Sequence, residues 1–105
     1  MPRTQSRSLE IAKTILAQFG GDRFMLMTGA KMPIAIESGL FFRVGSNPKK
    51  VTHVRVTLTP ADDYTVEFLR IRGFNSRKEL SREVGVYCDQ LQDVFFEHTG
   101  LYTRL

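Results

Sequence analysis

The stretch Val51–Gly73, VTHVRVTLTPADDYTVEFLRIRG, decides the fold. In its first half Val54, Val56 and Leu58 alternate with His53, Arg55, Thr57 and Thr59. A repeat of two sends apolar side chains to one face and polar ones to the other, the pattern of a half-buried strand. Pro60 has no N–H to give to a ladder and ends that strand. Asp62 and Asp63 suit the turn that follows, because short carboxylates bond nearby backbone N–H groups. Tyr64, Val66 and Phe68 resume the alternation, and Leu69 and Ile71 fall out of phase with them. Between Phe68 and Leu69 the pattern requires either a bulge or apolar cover on both faces. The stretch predicts an antiparallel hairpin at the centre of a sheet.

Upstream, residues 45–50 (GSNPKK) are a loop by composition. Leu40, Phe42 and Val44 alternate with Phe41 and Arg43 as another strand. Ser38-Gly39 reads as a tight hairpin turn back to a strand over Ile34–Glu37. Residues 29–33 (GAKMP) form a break. The apolar run Arg23–Thr28, RFMLMT, predicts a further short strand. Ahead of it Leu9, Ala12, Leu16 and Phe19 repeat at three and four, with Ile11 and Ile15 widening the stripe. That is an amphipathic helix with a core face, and Gly20-Gly21 stops it.

Downstream the period changes. Ser76 and Glu79 have the spacing of a capping box, and Leu80, Val84, Tyr87, Leu91, Val94, Phe95 and His98 follow at helical intervals. Gly85 interrupts the run at a cost of about 1 kcal/mol inside a helix. The C-terminal helix therefore starts at Ser76 or only near Val86, runs to His98, and stops at Thr99-Gly100. The expected fold class is α+β: an N-terminal helix, an antiparallel sheet of about five short strands and a C-terminal helix, with the helices on one face of the sheet. Leu16, Phe19, Val54, Val56, Leu58, Tyr87, Leu91 and Phe95 are the expected core. Leu101-Tyr102 is expected to fold back on it.

A chain of 105 residues with 42% hydrophobic composition fits one domain that buries its own core. The lone cysteine, Cys88, excludes an internal disulfide framework and fits a reducing compartment. Met1–Ser8 is polar and basic with no apolar run behind it. No segment approaches the roughly 18 apolar residues of a membrane span. A cytoplasmic protein without membrane contact is expected.

The net charge of +4 is unevenly spread. Residues 31–59 hold Lys31, Arg43, Lys49, Lys50 and Arg55 against Glu37 alone, five cations to one carboxylate. Residues 86–105 hold Asp89, Asp93 and Glu97 against Arg104. A basic middle and an acidic end can attract opposite partners or each other, and either can also be ordinary solvated surface.

No grouping of residues carries catalytic chemistry. His53 and His98 lack Cys or His partners at metal-ligand spacing, so neither a metal nor another cofactor is expected. Cys88, beside apolar helix positions, reads as a buried, unreactive thiol. Asp62 and Asp63 are explained by their turn. An enzyme is not expected. Binding is better supported. Arg43 and Arg55 alternate with core residues and should point away from the helices, and Phe41 shares their face. Arg70 or Arg72 lies on a neighbouring strand, and Lys49 and Lys50 extend the patch at the loop. A sheet face with arginines and an aromatic can hold a phosphate backbone and stack bases. The stripe Asp89, Asp93, Glu97 is a second, acidic surface.

Gly20–Phe24 and Met27–Lys31, with His53–Arg55 and the closing Thr99–Thr103, resemble small proteins encoded by prophages and other mobile elements. The likeness spans most of the chain and carries no assigned site residues. It implies a mobile-element setting, in which small non-enzymatic binders and inhibitors of host defence are common. Two function classes follow. One is a protein–protein inhibitor or accessory factor acting on a host protein or nucleoprotein complex that handles nucleic acid or mounts defence, of the anti-CRISPR kind. The other is an accessory protein that binds DNA or RNA directly. Either could act as a monomer or a homodimer.

Overall fold

In the sheet all five strands are antiparallel and follow chain order, β1-β2-β3-β4-β5. The structure, a computed structural model, describes residues 3–73 and 76–103, with side chains from residue 7 onward. Helix α1 (Arg3–Phe19) leads through Gly20 into helix α2 (Gly21–Thr28). The strands are β1 (Lys31–Ile36), β2 (Gly39–Arg43), β3 (His53–Leu58), β4 (Tyr64–Arg72) and β5 (Ser76–Val86). A single 3-10 turn (Cys88–Gln90) opens onto helix α3 (Leu91–Thr99). Arg104, counted above in the charge of the acidic end, lies outside the described residues.

The class is α+β with the helices on one face of the sheet. The central hairpin is β3–β4, paired from His53–Leu69 to Leu58–Tyr64. The phase slip in β4 reflects apolar cover on both faces, since β4 runs regularly against β3 and the extra residue of the adjoining bulge, Leu80, lies in β5. The β4–β5 register shifts between Phe68 and Leu69, and the two side chains are buried on opposite faces. On the helix side Leu40, Phe42, Val54, Val56, Val66 and Phe68 meet Ala12, Ile15 and Phe19 of α1, Phe24 of α2, and Leu91 and Phe95 of α3. Phe19, Phe24, Phe42 and Phe95 form a ring cluster with centroids 4.8 to 6.4 Å apart, mostly edge to face. That geometry suits the aromatic quadrupole and adds to burial.

Four expectations are corrected. Arg23–Thr28 is helix, not strand. Its Phe24 and Thr28 are buried one turn apart, while Leu26 is 85% exposed, and Gly29 closes the helix in the left-handed conformation. The run has no β-branched residue before Thr28, and its Met and Leu are helix formers. Second, Ser76–Val86 is the edge strand β5. Its charged, exposed residues at Arg77, Lys78, Glu79 and Arg82 are how an edge resists pairing with another chain. The Ser76/Glu79 spacing caps nothing, and α-helix begins only at Leu91. Third, Tyr87 is 58% exposed and Cys88 is exposed, because both lie in the bend and 3-10 turn ahead of α3 and not on a helix face. Fourth, the two-residue turn between β1 and β2 is Glu37-Ser38. Ser38 takes the left-handed conformation, and Gly39 is the first residue of β2. Within the stripe of α1, Leu9 is exposed and Leu16 half-buried, as is Leu58 in β3. Leu101 packs on the core and Tyr102 stays exposed against Phe96.

Candidate nucleic-acid interface

Pleating sends every second residue of each strand away from the helices. The register aligns those residues in rows across the uncovered face. One row reads Ile34–Phe41–Arg55–Glu67–Arg82, and the next reads Lys31–Arg43–His53–Leu69–Glu79. Arg77 joins this face opposite Ile71. The two carboxylates on it are engaged by a single cation. Arg82 Nη2 lies 3.6 Å from Glu67 Oε2, and its Nε donates to Glu79 Oε1 at 3.0 Å. Among the described residues Lys31, Arg43, Arg55 and Arg77 have no carboxylate within ion-pair distance. The face is therefore positive over β1–β3 and again at Arg77 near the start of β5, while Glu67, Glu79 and Arg82 pair among themselves between them.

His53 stands inside that positive half. Its ring stacks on Phe41 with centroids 5.3 Å apart and planes at 22°. Its Nδ1 shares a 2.8 Å hydrogen bond with Thr52 Oγ1, whose oxygen also accepts the Ile71 N–H at 2.8 Å. Burial, followed by the positive charges of Arg43 and Arg77, holds its pKa below the ordinary 6.5. Arg55 is half-buried, and its Nε is buried without a hydrogen-bond partner on the protein. An unpaired buried donor costs about 1–3 kcal/mol.

The structure thus gathers Phe41, Arg43 and Arg55 on one face and adds His53, Lys31 and Arg77. The signal that could have placed Arg77 there, a strand after Gly73, was masked by its charges. Lys49 and Lys50 are exposed but do not extend this row. Lys49 borders a hollow of about 250 Å3 with Ser81, Glu97 and His98 on the helix side. Lys50 offers its carbonyl to Arg70 Nε at 3.2 Å. Arg70 and Arg72 share the pleat phase of Phe68 and so belong to the helix-covered side, beyond the helices. Asp89, Asp93 and Glu97 are exposed, the last two one turn apart on α3.

A second constellation went unseen in the sequence. His98 on α3 bridges Ser81 Oγ at Nδ1 and Glu83 Oε1 at Nε2, each at 3.0 Å, and stacks on Phe68 with centroids 4.6 Å apart. A carboxylate only accepts, so Nε2 carries a proton, and in the neutral ring Nδ1 accepts from the serine. A hollow of about 470 Å3 lies by α1 near Tyr64, whose hydroxyl donates to Gln18 Oε1 at 2.8 Å. Burial raises the Tyr64 pKa above its usual value. Among the described residues no three His, Cys, Asp or Glu side chains are grouped to hold a metal ion, and no helix is long and apolar enough to cross a membrane.

No family model, curated protein or solved structure matches the chain.

Proposed function

We propose that this is a non-enzymatic binding protein that contacts a nucleic-acid strand directly through the uncovered sheet face. The observation that carries the reading is the unneutralised cluster of Arg43, Arg55 and Arg77 around the Phe41–His53 stack. Guanidinium groups pair with phosphate oxygens, and an aromatic stack accepts a base of any sequence. The resemblance to mobile-element proteins supplies the setting, a host complex that handles nucleic acid or mounts defence.

The test is fluorescence anisotropy with short single-stranded DNA and RNA over a salt series. Affinity should fall with salt at a log–log slope of about −0.7 for each phosphate contacted. The double variant Arg43→Glu, Arg77→Glu should flatten that slope by about 1.4, two contacts' worth. Both side chains are exposed, so its stability should stay within about 0.5 kcal/mol of wild type. Arg55→Gln serves as the milder change at the half-buried position. A folded double variant with unaltered affinity would remove this face from consideration.

A second reading, protein–protein inhibition of the same host complexes, draws on α3. There Asp93 and Glu97 flank the exposed pair Phe96–Tyr102, whose rings are 4.8 Å apart. Capture of a host protein that survives nuclease treatment, and is lost on Phe96→Ala, would favour it.

A further inference from the structure

The positive row runs into a cavity of about 400 Å3 at the end of the sheet, where Lys31, Arg43, Gly45 and Ser46 line a mostly polar hollow. This is near the small end of the roughly 300–1,000 Å3 range of ligand cavities. Lys31 and Arg43 sit directly opposite each other in the β1–β2 register, and His53 is next in line on β3. Like charges placed directly opposite across strands destabilise a sheet. Neither cation has a carboxylate partner among the described residues. An anion in the hollow would remove that cost.

Gly29 and Gly45 form one wall of the cavity. Gly45 donates its N–H to the Thr28 carbonyl at 3.0 Å. A Cβ at Gly29 would come within 3.1 Å of the Gly45 Cα, so the two backbones touch with no room for a side chain. A strand that reaches the hollow from Phe41 and His53 meets this backbone wall, which favours a strand's end over one that runs straight on.

We propose that this cavity holds the terminal phosphate monoester of a bound nucleic-acid strand, a specificity that rests on the face assigned above. A monoester carries between one and two negative charges at neutral pH, against one for an internal phosphodiester, and offers three free oxygens. Arg43 supplies a planar fork, Lys31 a compact charge and Ser46 a hydroxyl, a donor set matched to that dianion.

One oligonucleotide prepared with a 5′-phosphate, a 3′-phosphate or hydroxyls at both ends is compared by anisotropy at fixed low salt. One phosphorylated form should bind at least about tenfold tighter than the hydroxyl form, the scale of a single charge-assisted hydrogen bond. Lys31→Gln should bring all three to one affinity, and the preferred end reports the strand's direction. Equal affinity for the three forms in the wild type overturns the terminal-phosphate assignment and leaves the face reading standing. If no oligonucleotide binds, the face reading fails. Amide NMR shifts of Gly29, Lys31, Gly45 and Ser46 on adding inorganic phosphate then decide the cavity. Shifts there would keep an anion hollow but overturn the strand as its ligand, and their absence would overturn both.

Discussion

A Cβ at Gly39 would stand 2.1 Å from the carbonyl oxygen of Val56. No flexible side chain is available to yield, since the obstacle is ladder backbone between β2 and β3. Gly39→Ala should therefore cost about 3 kcal/mol or more, at or above the top of the usual range for overpacking, and a thermal or urea melt will show it. Phe95, fully buried in the ring cluster, gives the complementary case. Phe95→Ala should cost about 3–5 kcal/mol, and an unchanged melt would mean that α3 is not docked on the sheet. Cys88 carries the opposite expectation from the one its sequence neighbours suggest. Helical phasing from Leu80 to Phe95 puts the thiol beside the core, but the chain is extended through Tyr87 and turns tightly at 88–90, which leaves it exposed. Native protein should react with a thiol reagent at close to the rate of unfolded protein, and strong protection would contradict the exposed placement.

At the scale of elements, the hairpin 53–72 was legible because strict alternation reports burial on one face, and burial is what positions a strand. The phase slip at Phe68 and Leu69 was legible too, and of its two readings the structure takes the buried second face, the bulge at that point falling at Leu80 of the partner strand. Segments that took the other structure obey different constraints. Helix α2 is only eight residues long, too short for its period to stand out from a continuous apolar run. Strand β5 is an edge, where solvent and the need to refuse another chain select charges, so its sparse apolar residues at Leu80 and Val84 imitate helical spacing. Missing β5 also hid Arg77, Ser81 and Glu83 from the reading of the site. The β5–α3 seam they help form depends on His98. His98→Ala leaves Ser81 and Glu83 without their partner and removes the stack on Phe68, and should lower stability by about 1–3 kcal/mol. Carboxylate, imidazole and hydroxyl in series is also the order that activates a serine nucleophile. The non-enzymatic reading predicts that a serine-directed fluorophosphonate leaves the protein unlabelled. Adduct formation at Ser81 by mass spectrometry would replace that reading with a hydrolase.

Over the whole molecule, the uncovered face carries more cations than carboxylates, whereas the helix side mixes both signs, with Lys49, Arg70 and Arg72 among its charges. The uncovered face gathers Lys31, Arg43, Arg55 and Arg77 around His53, while the exposed carboxylates of α3 and the turn before it lie across the sheet. Arg43 on β2, Arg77 on β5 and Lys31 on β1 face His53, and Glu79 in its row is already held by Arg82. Burial and this surrounding charge keep the folded pKa of His53 below 6.5. The unfolded chain therefore binds more protons as pH falls below about 6.5, and the free protein loses stability from there down to the folded pKa. His53→Gln should remove that component, so the stability gap between variant and wild type should shift in the variant's favour between pH 7.5 and 5.5. A bound polyanion reverses the local field and favours the imidazolium, which couples proton uptake to binding. Affinity for a single strand should then rise as pH falls through the same window, more steeply for wild type than for His53→Gln, even as the free protein weakens. Opposite pH trends for stability and affinity, both cancelled by one substitution, would tie the positive face to its ligand. Parallel trends, or an affinity indifferent to His53, would mean that the strand does not lie where His53 can sense it.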